Sequence, residues 1–292
     1  MNKIHLKSRA KINLSLDVLA RRLDGYHEVR MIMQEIDLYD RISLMNRQDR
    51  PGIRISTNCP YIPKNNANIA YRAADLLRKK FNIPWGLDIH IDKKIPVAAG
   101  LAGGSSNAAS VLLGLNQLWD LGLTKECLMG LGATIGADIP FCINGGAAIA
   151  EGIGEKITNI DGLHNVWLVL SKPCISISTK EVYSSLDLSK IKKRPDTPKL
   201  LKAIEERNLY TLSKNMVNVL EAVSEQKYPI IRELKKKLIE FQALGSMMSG
   251  SGPTVFGIFK TYESAKAACA NLRIINKQTY LVQSYCGGNN YE

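Results

Sequence analysis

Residues 93–107, KKIPVAAGLAGGSSN, constrain this chain more than any other stretch, because a basic, proline-led, glycine-rich turn runs directly into an apolar-periodic segment. Gly100, Gly103 and Gly104 let the backbone turn tightly and approach a ligand, since glycine alone takes positive φ without steric cost. Ser105, Ser106 and Asn107 are residue types that cap helix starts. The free N–H groups of a first turn, added to the helix dipole, favour an anion there. Ala108, Val111, Leu112, Leu115 and Trp119 then recur at helical spacing and predict an amphipathic helix to about residue 120. A plain turn before a helix is the simpler reading. Three glycines, two consecutive hydroxyls and the Lys93/Lys94 pair converging on one helix start favour a phosphate cradle. Neither G-x-x-x-x-G-K-[ST] nor a G-x-G-x-x-G after the first strand is present, so a bound nucleotide uses a third arrangement.

The chain has 292 residues, 45% of them hydrophobic, enough for two ordinary domains or one large one with a full core. No run approaches about 18 apolar residues, and MNKIHLKSRAK lacks an apolar signal core, so a cytoplasmic protein is expected. Six scattered cysteines without C-x-x-C spacing read as reduced thiols, and four histidines show no metal-ligand spacing. The net charge of +12 admits nucleic acid, a polyphosphorylated small substrate or a solvated basic face. The charge is spread along the chain, with local runs only at 190–194 and 235–237 and no interleaved aromatics, which argues against nucleic acid.

Ile12, Leu14, Leu16 and Val18 alternate with polar residues and predict a half-buried strand whose polar face carries Lys11 and Asn13. Further strands are expected at 29–36, 41–45, 53–57, 87–91, near 146–150 and near 166–170. Helices are expected at 67–81, from the glycine loop to about 120, and at 124–132. Beyond about residue 155 the pattern changes to helices near 197–207, 213–224 and 229–241, a strand–glycine loop–strand, a helix at 261–272 and a strand at 279–285. This reads as two units, 1–155 and 156–292, although no low-complexity linker marks the junction.

Phosphoryl transfer needs neutralised phosphates, an acceptor oxygen placed in line, and usually a carboxylate near that oxygen. Asp138 in GADIPF is a candidate carboxylate or a turn residue. Lys11 is a candidate charge partner or an ordinary lysine. Tyr26 and His27 in DGYHEV can stack on and bond a planar base, or simply pack a strand start. Ser249, Gly250, Ser251 and Gly252 can offer donors to a phosphate, or form a hairpin tip.

Taken in order, AKINLSLDV, DGYHEV, PVAAGLAGGSSNAA, GADIPF and MSGSGPT give a chain that resembles the GHMP kinases over essentially its whole length. Within them it resembles the branch acting on an alcohol carried by cytidine diphosphate. The resemblance implies an α+β fold with a ribosomal-protein-S5 domain-2-like amino-terminal domain, a ferredoxin-like carboxy-terminal domain, and the active site between them. It implies a small-molecule kinase with ATP as co-substrate and Mg2+ on the phosphates. ATP would lie under the loop of Pro96, Val97, Ala98, Ala99, Gly100, Leu101, Ala102, Gly103, Gly104, Ser105 and Ser106, with Asn68 near adenine. The catalytic pair falls on Lys11 and Asp138: Asp138 would accept the proton of the attacking hydroxyl, and Lys11 would hold that carboxylate and orient the hydroxyl. Asn13, Tyr26, His27 and Tyr183 match the substrate pocket, Tyr183 standing where other members can carry Phe. Ala102 stands where many members have a third consecutive glycine. The expected partner is a small-molecule cytidine diphosphate-linked substrate, without membrane or nucleic acid, in a monomer or homodimer. The metal's ligands are left unassigned, and a different small-alcohol kinase or a non-catalytic nucleotide-binding regulator are the alternatives.

Overall fold

The structure, a computed structural model, describes residues 2–49 and 51–287. The first half runs β1 (Lys3–Arg21), β2 (His27–Arg47), β3 (Ile53–Thr57), α1 (Ile69–Lys80), β4 (Gly86–Asp92), α2 (Gly103–Leu118), α3 (Lys125–Ala133), α4 (Ile139–Asn144), β5 (Ala147–Gly152) and β6 (Lys156–Asn159). The second half runs β7 (Trp167–Ser171), α5 (Thr179–Ser184), α6 (Thr197–Glu205), α7 (Leu209–Asn215), α8 (Glu221–Lys227), α9 (Pro229–Glu240), β8 (Gly245–Met248), β9 (Val255–Phe259), α10 (Tyr262–Ile275) and β10 (Thr279–Tyr285). Among the described residues no helix is long and apolar enough to cross a membrane.

The first sheet is organised by β2. One of its edges pairs antiparallel with β1 over most of its length. Its other edge takes β5 along Val29–Gln34 and β4 along Arg41–Arg47. The gap expected between strands at 29–36 and 41–45 therefore lies inside one continuous strand, and Asp40 within it is held by four donors rather than by a turn. Through β10, which pairs with β2 at Glu35 and Ile36, the sheet continues into a second, antiparallel half in the order β10-β7-β9-β8. With helices between β7 and β8 and between β9 and β10, it is the expected ferredoxin-like βαββαβ arrangement.

Two further details differ from the sequence expectations. β6 pairs with β5, so the first sheet extends to Asn159 and the break placed at 155/156 cuts a hairpin. The helix expected over 213–224 is split into α7 and α8, because Val217 to Val219 leave helical geometry to pair with β1: Leu16 N donates to Val217 O at 3.0 Å and Val219 N to Leu16 O at 3.0 Å.

The phase of β1 decides where the site forms. Ile4 and Leu6 pack into one core cluster, Ala10, Ile12 and Leu14 into a second, and Leu16 and Val18 into the first again. Register shifts between Arg9 and Lys11 and between Asn13 and Ser15 lie at the two inversions; the second is a one-residue change of phase, which moves the following side chains to the opposite face. The apolar residues of the middle segment thus face the second unit, and Lys11 and Asn13 turn inward. They are only 4% and 0% exposed, so the polar face expected for them is buried.

Candidate active site

The loop before α2 is held from below by one carboxylate. Asp40, fully buried, accepts from Lys94 N at 2.7 Å, Ile95 N at 2.8 Å, Asn107 Nδ2 at 2.8 Å and Lys93 Nζ at 2.5 Å. Burial lowers the Lys93 ammonium pKa, while Asp40 opposes that shift. Ser8 Oγ donates to Ser106 Oγ at 2.8 Å and accepts from Asn107 Nδ2 at 2.9 Å. Ser106 and Asn107 are therefore buried anchors of the first turns rather than the caps expected of them. The cap position belongs to Ala102, in the left-handed region at φ 54°, with no side-chain cap bond. The first turn of this sixteen-residue helix so keeps its N–H groups clear of a capping side chain, the arrangement that receives anions.

Above the loop opens a cleft of about 1050 Å³. Of the residues singled out in the sequence, Lys11, Tyr26, His27, Asn68, Pro96, Val97, Ala98, Ala99, Gly100, Ala102, Gly103, Gly104, Ser105, Asp138 and Tyr183 line it. Leu101, Ser106 and Asn13 do not: each is core, Leu101 contributing its carbonyl as acceptor for Lys11 N at 3.2 Å. Asn13 acts from below, its Oδ1 accepting from Lys11 Nζ at 2.8 Å. Lys11 Nζ stands 3.8 Å from Asp138 Oδ2, and Asp138 is the more open partner, its side chain 33% exposed. Asp138 immediately precedes α4, whose second residue is Pro140. The short helix fixes where that carboxylate enters the cleft.

At one end of the cleft His27 and Tyr183 lie ring to ring, centroids 5.3 Å apart and planes tilted by 42°, with Tyr26 more than half exposed beside them. Burial, then the Arg21 cation, lowers the His27 imidazole from its usual pKa. Burial, then the Asp138 carboxylate, raises the Tyr183 phenol. Asn68 borders the other end, but its side chain is occupied: Oδ1 caps α1 by accepting from Ala70 N at 2.9 Å, and Nδ2 donates to Pro63 O at 2.8 Å. It positions the Tyr61–Pro63 wall of the cleft instead of offering a free amide.

The second glycine cluster meets the first back to back. Ser249 Oγ donates to Gly100 O at 3.0 Å and Thr254 N to Ala99 O at 3.3 Å. Asn218 Nδ2 tethers it by donating to Met248 O at 2.9 Å and Gly250 O at 2.8 Å. Of its hydroxyls, Ser251 borders the cleft, 2.8 Å from Thr179 Oγ1. Sequence reasoning missed Arg21, Tyr61 and Thr179 as cleft residues and Asp40 as the loop's anchor. An arginine pair before DGYH was a visible signal for Arg21; nothing local marks the others.

The GHMP kinases N terminal domain model matches residues 68–146, and the GHMP kinases C terminal model matches residues 200–277. The chain is 63% identical, over 98% of both chains, to a 4-diphosphocytidyl-2-C-methyl-D-erythritol kinase of Alkaliphilus metalliredigens. It belongs to the 4-diphosphocytidyl-2-C-methyl-D-erythritol kinase family. A family member from Clostridioides difficile is 50% identical over 97% of this chain and 96% of its own. A crystal structure of 4-(cytidine 5'-diphospho)-2C-methyl-D-erythritol kinase superposes with a TM-score of 0.84 at 31% identity, covering 98% of this chain and all of that one. A homoserine kinase from Cytophaga hutchinsonii, 18% identical with a TM-score of 0.78 over 100% of this chain and 97% of its own, shares the fold. The small-molecule kinase assignment and the two-domain GHMP fold follow from this membership.

Proposed function

We propose that the protein transfers the γ-phosphoryl group of ATP to the 2-hydroxyl of 4-diphosphocytidyl-2-C-methyl-D-erythritol, giving the 2-phosphate and ADP in isoprenoid precursor biosynthesis. The observation that carries the reading is the placement of the Lys11–Asp138 pair in one cleft, with the uncapped start of α2 and the His27–Tyr183 aromatic pair. The helix start receives the nucleotide phosphates, and the aromatic end takes the cytosine.

Asp138 accepts the proton of the 2-hydroxyl as its oxygen bonds to the γ-phosphorus. The bond from that phosphorus to the β,γ-bridging oxygen breaks, and its electron pair leaves with ADP. Lys11, fixed by Asn13 Oδ1, orients the acceptor hydroxyl and sets positive charge beside the transferred group. Little covalent work is left for the protein, so positioning and charge carry most of the rate.

Among the described residues no group of three or more His, Cys, Asp or Glu side chains could hold a metal. Mg2+, expected with ATP, keeps several waters and binds through substrate phosphates with one or two protein oxygens. Ser105, at the cleft and in the first turn of α2, is the residue placed to contribute one. The ion's contribution is neutralisation of phosphate charge. The enzyme works as a monomer or homodimer in the cytoplasm on this reading. ADP release measured with the cytidyl substrate beside mevalonate, homoserine and galactose tests the reading. Turnover confined to the cytidyl substrate supports it, and preference for another alcohol refutes the base pocket.

A further inference from the structure

Glu35 is a carboxylate that the reaction above does not use, and it lies directly behind the catalytic pair. It is the cross-strand partner of Lys11 in the β1–β2 ladder. Residues directly opposite in an antiparallel pair carry their Cβ atoms about 5 Å apart on the same face. Glu35 is 3% exposed and makes a two-point contact with one residue: its N–H donates to Gly146 O at 2.8 Å, and its Oε2 accepts from Gly146 N at 2.8 Å. Gly145 and Gly146, both at positive φ, form the turn that ends α4. A Cβ at Gly145 would sit 3.3 Å from Glu35 Oε2, so the carboxyl fills the hollow of that turn. The other end of α4 is Asp138. Between the two ends, the Cys142 thiol is pushed up by burial, then by the Asp138 and Glu35 carboxylates, against Lys11.

We infer that Glu35 is a positioning residue for the Lys11–Asp138 pair, clamping the glycine turn that ends α4, the helix whose other end is Asp138. The inference rests on the kinase reading and adds a control that Lys11 and Asp138 alone do not supply. Groups facing Glu35 come from every element around it: Arg9 and Lys11 on β1, Cys142 on α4, Lys125 at the start of α3, and Tyr285 on β10 with Cys286 after it. Burial raises the Glu35 carboxyl to about 7, while the Gly146 N–H, Arg9 and Lys125 pull it back. Near neutral pH it therefore passes between a neutral acid and a carboxylate. The carboxylate bonds Gly146 N–H more strongly, so the clamp tightens as pH rises.

The test is the pH profile of kcat for wild type, Glu35→Gln and Glu35→Ala, each with thermal melts. Glu35→Gln keeps an acceptor for Gly146 N–H but cannot ionise. The expected ratio of wild-type to Glu35→Gln kcat is near one at pH 6 and rises to about threefold or more by pH 8.5, with KM for ATP unchanged. Glu35→Ala is expected to lose about tenfold in kcat at pH 8.5 at constant KM, with Glu35→Gln recovering part of it. A wild-type to Glu35→Gln ratio constant across pH overturns the inference, even if both variants are slow. Wild-type turnover with a different alcohol refutes the substrate reading and leaves the ratio measurable with that alcohol. Turnover with none overturns both.

Discussion

Gly100 and Ser249 touch across the two halves of the molecule: a Cβ added to Gly100 would stand 2.3 Å from the Ser249 carbonyl oxygen, while Ser249 Oγ donates to Gly100 O at 3.0 Å. The nucleotide loop is thus braced by the second glycine cluster, and its shape depends on the carboxy-terminal domain being docked.

Gly100→Ala is therefore expected to impair nucleotide binding by distorting the loop it belongs to. The residue sits at φ +73°, so the substitution adds backbone strain of about 1–2 kcal/mol to a steric overlap that backbone atoms cannot relieve cheaply. KM for ATP should rise at least about tenfold with a lower Tm. Ser249→Ala, which removes one hydrogen bond, should cost only about 1 kcal/mol. Calorimetry with ATP kinetics distinguishes the two; an unaltered Gly100→Ala refutes the bracing.

Ala102 holds a left-handed conformation without glycine's freedom. Replacing it with Gly removes a penalty of about 1–2 kcal/mol and gives back some unfolded-state entropy, for a net gain of up to about 1 kcal/mol. Ala102→Val, β-branched, should destabilise by more than that gain. Urea melts of both variants against wild type provide the check.

Asp138→Asn should lower kcat by about 10²–10⁴ while KM for ATP stays within about twofold, because the carboxylate acts in the proton transfer and not in holding the phosphates. A parallel loss of ATP affinity would sink the assignment, provided melts show the variant folded.

His27→Ala should weaken the cytidyl substrate by at least about tenfold and leave KM for ATP unchanged. Tyr183→Phe keeps the ring that faces His27 at 5.3 Å and should retain kcat/KM within about threefold. With its pKa lowered, His27 is neutral above its usual titration range. Substrate KM should then be flat from pH 7.5 to 9, which steady-state kinetics can verify.

The stability of the fold should respond to pH through Glu35. Its carboxyl goes from an ordinary 4.5 to about 7 on folding, so the folded state holds the extra proton between these values. Stability is highest below about 4.5 on this account, falls as pH rises through the window and is level above 7, by up to about 3 kcal/mol. Glu35→Gln should abolish that contribution and be the more stable protein at pH 8. Chemical denaturation at pH 5, 6, 7 and 8 measures it.

The periodicities that survive folding were legible: α2, α9, β7, β9 and β10 follow from apolar spacing and punctuating glycines. What periodicity could not reveal is phase. Ile12, Leu14, Leu16 and Val18 keep perfect alternation in sequence, yet the register shifts send the first pair and the second pair to different cores. Lys11 and Asn13 consequently read as a surface face. Asp40 shows the same limit, since a carboxylate wanted by four donors from 93–107 looks like a turn residue until those segments meet. The motif residues of the cleft were visible because short-range backbone needs, glycine above all, leave a local trace. Tyr61 and Thr179 leave none, being ordinary residues placed by the long-range fold, while Arg21 shows only as half of an arginine pair before DGYH.

The double inversion in β1 also decides which changes to its coding sequence the protein can survive. Between Ala10 and Ser15 the apolar side chains of Ala10, Ile12 and Leu14 can be exchanged for ones of similar size, but a codon cannot be added or removed. Losing one residue there would bring Ile12 and Leu14 round to the catalytic side and thrust the lysine into the packing between the two halves, so chemistry and folding would fail together. This stretch is therefore a fixed-length spacer, tolerant of substitution on its apolar side and closed to insertion or deletion.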